Sequence, residues 1–597
     1  MLPPPATGAR KEHSAGLMLL ILFCFGLAIY SNSLTGLFLF DDIQNIVGNP
    51  SIRKLWPPWD ALVGSRISEI SGRPLANLSF AVNYAISGLD SWSYHALNLL
   101  FHLLATGCLF GIARRALRSP TFQGRYEGNA TLIAFFLSLL WLAHPLSTQA
   151  VTYITQRIES MMGLCLLASL YFSIRGWEDG NRKLWHTLAV AVFFAGAATK
   201  EVMVVAPLLI LLYDVIFEGK TPADALRRSS FLYYGLLAGV VFLLALVLRG
   251  DTWEKAFAGG PEKEFGKSTF QYLMNQPNAI ATYLKLTVWP RKLCINYEWS
   301  EVPLWYSLLA GAIILCLVGY TGWLIRWKRP GGFVGAWFFL ILAPTSSVLP
   351  LWCDIEEHRM YLPLAAPIAL FTLATFRAGK ALPPRLARTA VILFLSLVGS
   401  VLGYATYERN FDYANSLTIW TDAIQKRPWS YSAKWQLGKV YVNYRMYKEA
   451  YEILLPLTKC ENIENPTLIN TLGLVLRELE RPKEAEEMFR SSITTWPERD
   501  ETAYCNLGGL LLDEGRPAEA VPYLSVAVRL NPQYPKFRRF LGEALAGCGR
   551  YEEAAEQFRK AIELAGADPE SQAFLDQIQA IMDGGKKDGG AAPKGQN

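Results

Sequence analysis

Two carboxylates stand side by side where the first apolar run of the chain ends, in Phe38-Leu39-Phe40-Asp41-Asp42. Adjacent acids repel each other, and a bilayer edge is a costly place to hold both. The pair therefore reads as a base or a cation partner. The competing reading is helix termination with a salt bridge to Arg53 or Arg73, for which one acid would suffice. Other charges gather at later apolar boundaries. Arg157 and Glu159 open one run, Lys200-Glu201 separates two runs with almost no loop, and Asp354-Ile355-Glu356-Glu357-His358-Arg359-Met360-Tyr361 precedes another. Opposite charges inside a hairpin of membrane helices are expensive unless they line a cavity. That makes Lys200 a candidate phosphate partner, with mutual neutralisation by Glu201 as the alternative. For Arg157 and Glu159 the alternative is a local pair snorkelling at the interface. His95, Asn98 and His102 share one helix face, as metal ligands would. No further cluster with ligand spacing joins them, so a hydrogen-bonded interior face is expected.

These residues need elements to hold them, and the composition supplies two kinds. Of 597 residues, 52% are hydrophobic and 18% charged. The apolar ones concentrate in 16–408, while 409–597 is charged and helix-patterned. Runs of about 20 apolar residues lie near 16–36, 95–113, 130–147, 158–175, 185–199, 202–218, 230–249, 303–325, 332–350, 360–376 and 389–407. They predict eleven spans, the first an uncleaved signal anchor. Lys/Arg-rich loops fall on alternate sides, which assigns that side to the cytoplasm. Loops 37–94 and 250–302 are then external, the second carrying an amphipathic or re-entrant helix over Gln276–Arg291. An odd count puts the tail on the side of Asp41 and Asp42. The net charge of +6 lies mainly in the short loops and reads as topology, with no nucleic-acid partner. The nine cysteines include no Cys-x-x-Cys pair, and metal-ligand spacing is absent.

Leu-Gly pairs recur at 437–438, 472–473, 507–508 and 541–542, a period of 34 to 35 residues. Ala450, Ala485, Ala520 and Ala554 recur in phase, each followed four positions later by Leu454, Phe489, Leu524 or Phe558. This is the pattern of tetratricopeptide repeats, paired helices that stack into a solenoid with a peptide- or protein-binding groove. Gly515 and Gly549 suit the turn inside a repeat. Repeats are expected over 409–582, with a disordered Gly/Lys-rich tail at 583–597.

Taken in order, Asp41-Asp42, Arg73-Pro74, His95…Asn98…His102, His144-Pro145, Arg157, Lys200-Glu201 and Tyr361-Leu362-Pro363 form a set, continued by Arg409-Asn410, Tyr413, Ser416 and Trp420 ahead of the repeats. The set resembles the transmembrane-and-tetratricopeptide-repeat protein O-mannosyltransferases and their bacterial relatives, over nearly the whole chain. The resemblance implies an all-α, type C glycosyltransferase (GT-C) membrane bundle over 1–408, followed by the repeat solenoid. It implies a polyprenyl-phosphate sugar as donor and Asp41 and Asp42 as the catalytic motif. Gln149 stands where eukaryotic members usually show Glu, and Glu357-His358-Arg359 looks more like the bacterial branch, which leaves the sugar open.

On that reading a Ser/Thr hydroxyl of an exported protein is the acceptor and Asp41 or Asp42 the base. The leaving lipid phosphate needs fixed cations, for which Arg157, Lys200, His358, Arg359 and Arg73 are candidates. Glu201, Glu357 and Tyr361 complete the expected donor site. Direct attack would invert the anomeric centre. No cofactor or metal is required, although an acidic pair could also hold a divalent ion. The location implied is a bacterial inner membrane, with the site and the repeats on the periplasmic face and the repeats engaging the acceptor. Two rivals stand beside it: transfer to a glycolipid or polysaccharide, and a non-catalytic scaffold that anchors the repeats.

Overall fold

A computed structural model describes residues 15–64, 70, 72–249, 269–298, 302–346, 353–459, 465–497, 500–566 and 568–588. All its secondary-structure elements are helical, and the chain divides into two compact units, Met1–Ser430 and Tyr431–Asn597. The division falls beyond the expected boundary at residue 408, because the helix Ser416–Lys426 packs on the end of Pro384–Asp412.

In the first unit, Trp92–Arg118 and Arg157–Glu178 lie side by side, flanked by Ala130–Leu142 and Arg182–Ala197. Among the described residues five helices are long and apolar enough to cross a membrane, or up to seven if two bent pairs each count as one span. That is fewer than the eleven expected. Several apolar runs fold as shorter helices, among them Ala15–Ile29 with 15 residues and Pro330–Leu342 with 13. Part of the run 332–350 and, in the loop 250–302, residues 250–268 and 299–301 lie outside the described residues. Within that loop a helix does form, over Thr269–Val288.

The spans differ in what surrounds them. In Ile154–Glu178 83% of the apolar window is buried, against 11% in Leu304–Arg326, whose Leu308, Leu309, Ile313 and Leu315 point outward. A helix wrapped by protein can carry polar side chains that meet one another, whereas one coated with exposed leucines suits hydrocarbon. The chain is thus a multi-pass membrane protein.

One span is broken, and the break builds the site. Pro145 has no N–H to continue the helix that ends at Leu142, and the His144 side chain caps the new start by accepting from the Leu146 N–H at 3.2 Å. The chain turns by 54° into the short helix Thr148–Thr152, then by a 3₁₀ turn into Arg157–Glu178. Every residue from Trp141 to Ser160 is buried, polar ones included.

The second unit is four helix pairs, Tyr431–Asn443 with Tyr447–Leu454, Pro466–Glu478 with Pro482–Thr495, Glu501–Asp513 with Pro517–Leu530, and Pro535–Gly547 with Tyr551–Ala565. Pro569–Asp588 closes the array, running past the expected start of the tail at 583; residues 589–597 lie outside the described residues. The Leu-Gly glycines are where the paired helices touch. A Cβ at Gly473 would meet Phe489 at 2.5 Å, and one at Gly508 would meet Leu524 at 2.4 Å. Gly515 and Gly549 take φ of +72° and +76° in the intra-repeat turns, a conformation that suits glycine.

Candidate active site

The two adjacent acids have different surroundings. Asp42 is fully buried. Its carboxylate accepts the Leu39 N–H at 2.9 Å, the Thr155 N–H at 2.7 Å and the Thr155 hydroxyl. Burial pushes the Asp42 carboxyl up to about 7, against the pull of the Thr155 and Leu39 hydrogen bonds and the Arg157 charge. Asp41 is only partly buried, and its N–H donates to the Tyr153 hydroxyl at 3.0 Å. Phe40, just before the pair, takes a φ of +37°, a left-handed conformation costly for a bulky residue; its ring sits edge-on to Trp420 at 5.4 Å. The salt bridges weighed for the acids are not formed with Asp42. Arg73 pairs with Glu201 at 3.4 Å, and Arg53 donates to the Ile46 and Val47 carbonyls.

A second cluster gathers residues far apart in sequence. Lys200 forms a buried ion pair with Glu159, not with its neighbour Glu201. Arg359 pairs with Glu356 at 2.6 Å, and the His358 Nε2 lies 3.5 Å from Glu356 and 4.0 Å from Glu159. Burial works against ionisation of Glu356, and Arg359 outweighs it, holding that carboxyl down at about 2. Burial pulls the His358 imidazole down to about 3, against Glu356, so the ring is neutral at pH 7. The Gln149 Oε1 accepts the His358 backbone N–H at 2.8 Å and lies 3.2 Å from Nδ1, which assigns the ring proton to Nδ1. A small cavity lined by Glu159, Val202, Thr345 and Arg359 adjoins the cluster.

The broken span joins the two groups of charges. Gln149 holds His358, Tyr153 meets Asp41, and Thr155 holds Asp42, all within seven residues of chain, at most ~22 Å even if extended. The signal in the sequence was Pro145 followed by a run of Ser, Thr and Gln inside an apolar segment. Which partners those side chains would find could not be read there.

Several expected donor-site residues turn out to be occupied with holding the protein together. Arg157 is wholly buried; it donates to the Asn98 side chain at 2.6 Å, the Ser79 hydroxyl at 3.2 Å and the Tyr94 carbonyl at 2.8 Å, with the Phe80 ring 4.5 Å away. The Arg359 guanidinium is likewise spent on Glu356 and the carbonyls of Thr345, Cys353 and Asp354. Tyr361 donates or accepts at 2.9 Å with His102 Nδ1, deep in the bundle. His95, Asn98 and His102 bond to Gly36, Val151 and Leu142 carbonyls, a hydrogen-bonded interior face. Glu357 faces another way: its Oε1 accepts from the Cys294 N–H and the Tyr297 hydroxyl, both at 2.6 Å, and its Oε2 lies 3.8 Å from Arg409. Arg409 also pairs with Asp412 at 2.6 Å and Asp422 at 3.0 Å. This second buried network ties the Glu357 turn to the helix Ser416–Lys426. Of the expected cations, Lys200 pairs with the Glu159 carboxylate and Arg73 with that of Glu201.

The chain is similar to named proteins over most of its length. It is 24% identical to human protein O-mannosyl-transferase TMTC3 over 90% of this chain and 63% of that protein. With the Caenorhabditis elegans protein O-mannosyl-transferase F38B6.6 it shares 24% over 75% of this chain and 63% of the relative. The chain therefore spans a little under two thirds of the length of these relatives. Tetratricopeptide-repeat family models match residues 470–535 and 511–578. Among solved structures, ArnT from Cupriavidus metallidurans bound to undecaprenyl phosphate superposes with a TM-score of 0.38 at 15% identity, covering 80% of each chain. MamA from Desulfovibrio magneticus RS-1 superposes at 0.24 with 20% identity, covering 26% of this chain and 88% of MamA. Over nine tenths of its residues this chain is similar to the TMTC protein O-mannosyl-transferases, at 23–24% identity.

Proposed function

We propose that this protein is a GT-C-type membrane glycosyltransferase that moves a sugar from a polyprenyl-phosphate carrier to Ser/Thr hydroxyls of exported proteins. The observation that carries the reading is the asymmetry of the acid pair. Asp42 is fully buried, its carboxylate accepting from three donors, and positions the turn; Asp41 interacts with Tyr153 but stays partly exposed, and on this reading it takes the proton. A neutral hydroxyl is a poor nucleophile, and a carboxylate within hydrogen-bond reach activates it as it attacks. In the transfer, the acceptor oxygen bonds to the anomeric carbon and its proton passes to Asp41. The bond to the carrier phosphate breaks, and attack from the opposite face inverts the centre. Charge then grows on the phosphate, where Lys200 and Arg73 supply cations fixed by Glu159 and Glu201. Gln149 and His358 hold the connecting segment, and the repeats engage the acceptor protein. The reading places both the site and the repeats outside the cytoplasmic membrane; a reporter fusion at residue 420 tests that placement.

The direct test is transfer in membranes carrying Asp41→Asn, with a polyprenyl-phosphate sugar and a Ser/Thr-containing acceptor. Loss of transfer in a protein that still inserts and binds donor supports the assignment. Unchanged transfer removes Asp41 from the role of base.

A further inference from the structure

In the repeat unit one set of helices is net basic and the other net acidic. Successive first helices of the repeats touch one another along the array, Tyr431–Asn443 to Pro466–Glu478 to Glu501–Asp513 to Pro535–Gly547. They therefore line its inner curve. These four helices hold six Lys/Arg against four Asp/Glu, whereas the four second helices hold six against ten.

The basic residues converge on the third repeat. Arg477, Lys536, Arg539 and Glu543 all act electrostatically on the buried Cys505, so three cations and one acid face the same stretch of Glu501–Asp513. Gly509 leaves room for them. A Cβ there would meet the Phe540 ring at 3.5 Å and the Arg477 Nη1 at 3.9 Å. The Lys536 ammonium and the Arg539 guanidinium lie 5.4 and 5.1 Å from the centre of that ring. Arg477 pairs with Glu478 at 3.0 Å, and Arg539 with Glu543 and Glu570, while Lys536 is exposed. Beside the cations, the Asn506 amide donates to Asn470 Oδ1 at 2.8 Å, and Asn470 donates to Thr502 at 2.7 Å. That chain of bonds fixes the direction of the Asn506 carbonyl.

We propose that this inner face binds an extended acidic segment of a partner protein, its carboxylates meeting Lys536, Arg539 and Arg477 and a backbone N–H meeting Asn506. The inference rests on the reading of the repeats as the part that engages the protein acceptor, and it narrows that acceptor to chains with Asp/Glu-rich stretches. A peptide is favoured over a lipid surface because the cations sit on the inner curve beside a fixed amide and an aromatic ring, features that read a backbone and a side chain.

The experiment measures fluorescence anisotropy of labelled ten-residue peptides with the full chain in phosphatidylcholine nanodiscs. The acidic peptide binds about tenfold or more tighter than a Gly/Ser peptide, a Lys-rich peptide does not bind, and salt weakens the acidic complex. Lys536→Glu lowers the affinity about tenfold, while Lys560→Glu on a second helix leaves it unchanged. Equal binding of acidic and neutral peptides, or no effect of Lys536→Glu, overturns the proposal. So does displacement of the peptide by anionic vesicles that themselves require Lys536, which assigns the patch to a membrane surface. No donor sugar enters this assay, so its failure leaves the transfer reading standing, and failed transfer leaves the binding result standing.

Discussion

Replacing Asp42 by asparagine alters one side chain whose every acceptor site has a purpose. Its two oxygens take the Leu39 N–H at 2.9 Å, the Thr155 N–H at 2.7 Å and the Thr155 hydroxyl. An amide has only one acceptor oxygen. With that oxygen toward Thr155, the new NH₂ faces the Leu39 N–H, and a buried donor loses its partner at a cost of about 1–3 kcal/mol. The turn that holds Phe40 at φ +37° and aims Asp41 is thereby loosened. The cost depends on pH. The folded carboxyl sits at about 7, above the ~4 of an unfolded chain. Folding therefore favours the protonated form, a contribution that is whole below pH ~4 and is lost as pH rises through 7. Asparagine does not titrate, so the destabilisation by Asp42→Asn is larger at pH 5 than at pH 8. Thermal unfolding of detergent-solubilised protein, followed by tryptophan fluorescence at both pH values, reads this difference. A destabilisation that grows with pH, or none at all, refutes the reasoning.

Lys200→Gln removes one cation near the cavity and leaves Glu159 without its ion pair; the KM for the lipid-linked donor should rise about tenfold or more, with a smaller fall in kcat, in a steady-state transfer assay. Arg409→Ala leaves buried Glu357 and the carboxylates of Asp412 and Asp422 without their shared cation, at about 3–5 kcal/mol; the melting temperature should fall sharply, and Arg409→Lys should restore part of it. Gly473→Ala drives a methyl to within 2.5 Å of Phe489, at about 1–3 kcal/mol; limited proteolysis should then cut within the second repeat, and pairing with Phe489→Leu should relieve the effect.

The repeats were legible because their packing is local and periodic. Ala450, Ala485, Ala520 and Ala554 are all fully buried, and the large residue four positions after each fills the space over a Leu-Gly glycine. One helical turn and one repeat length suffice to foresee that contact. The first two repeats show the limit of the pattern, since Arg445 and Glu480 take φ of +58° and +59° at turns where glycine stands later. In the membrane unit, composition located the apolar runs but not their continuity. Pro145 converts one predicted span into a bent pair, and the polar residues after it become the hub of the site. Asp41 and Asp42 were conspicuous from their adjacency alone. Their different roles were not, because these depend on Thr155 and Tyr153, more than a hundred residues away. Arg157 and Arg359 stand in the sequence as candidate phosphate partners; nothing local announces that Asn98, Ser79 or three loop carbonyls accept from them.

The central claim is that Asp41 takes the proton of the attacking hydroxyl while Asp42 holds the turn. Single-turnover transfer from a polyprenyl-phosphate sugar, compared between Asp41→Asn and the unaltered chain at matched insertion, tests it most directly. The expected rate is lower by about 10²–10⁴, with donor affinity and melting temperature unchanged. Transfer at the original rate in Asp41→Asn, or a rate loss matched by lost donor binding or unfolding, would contradict it.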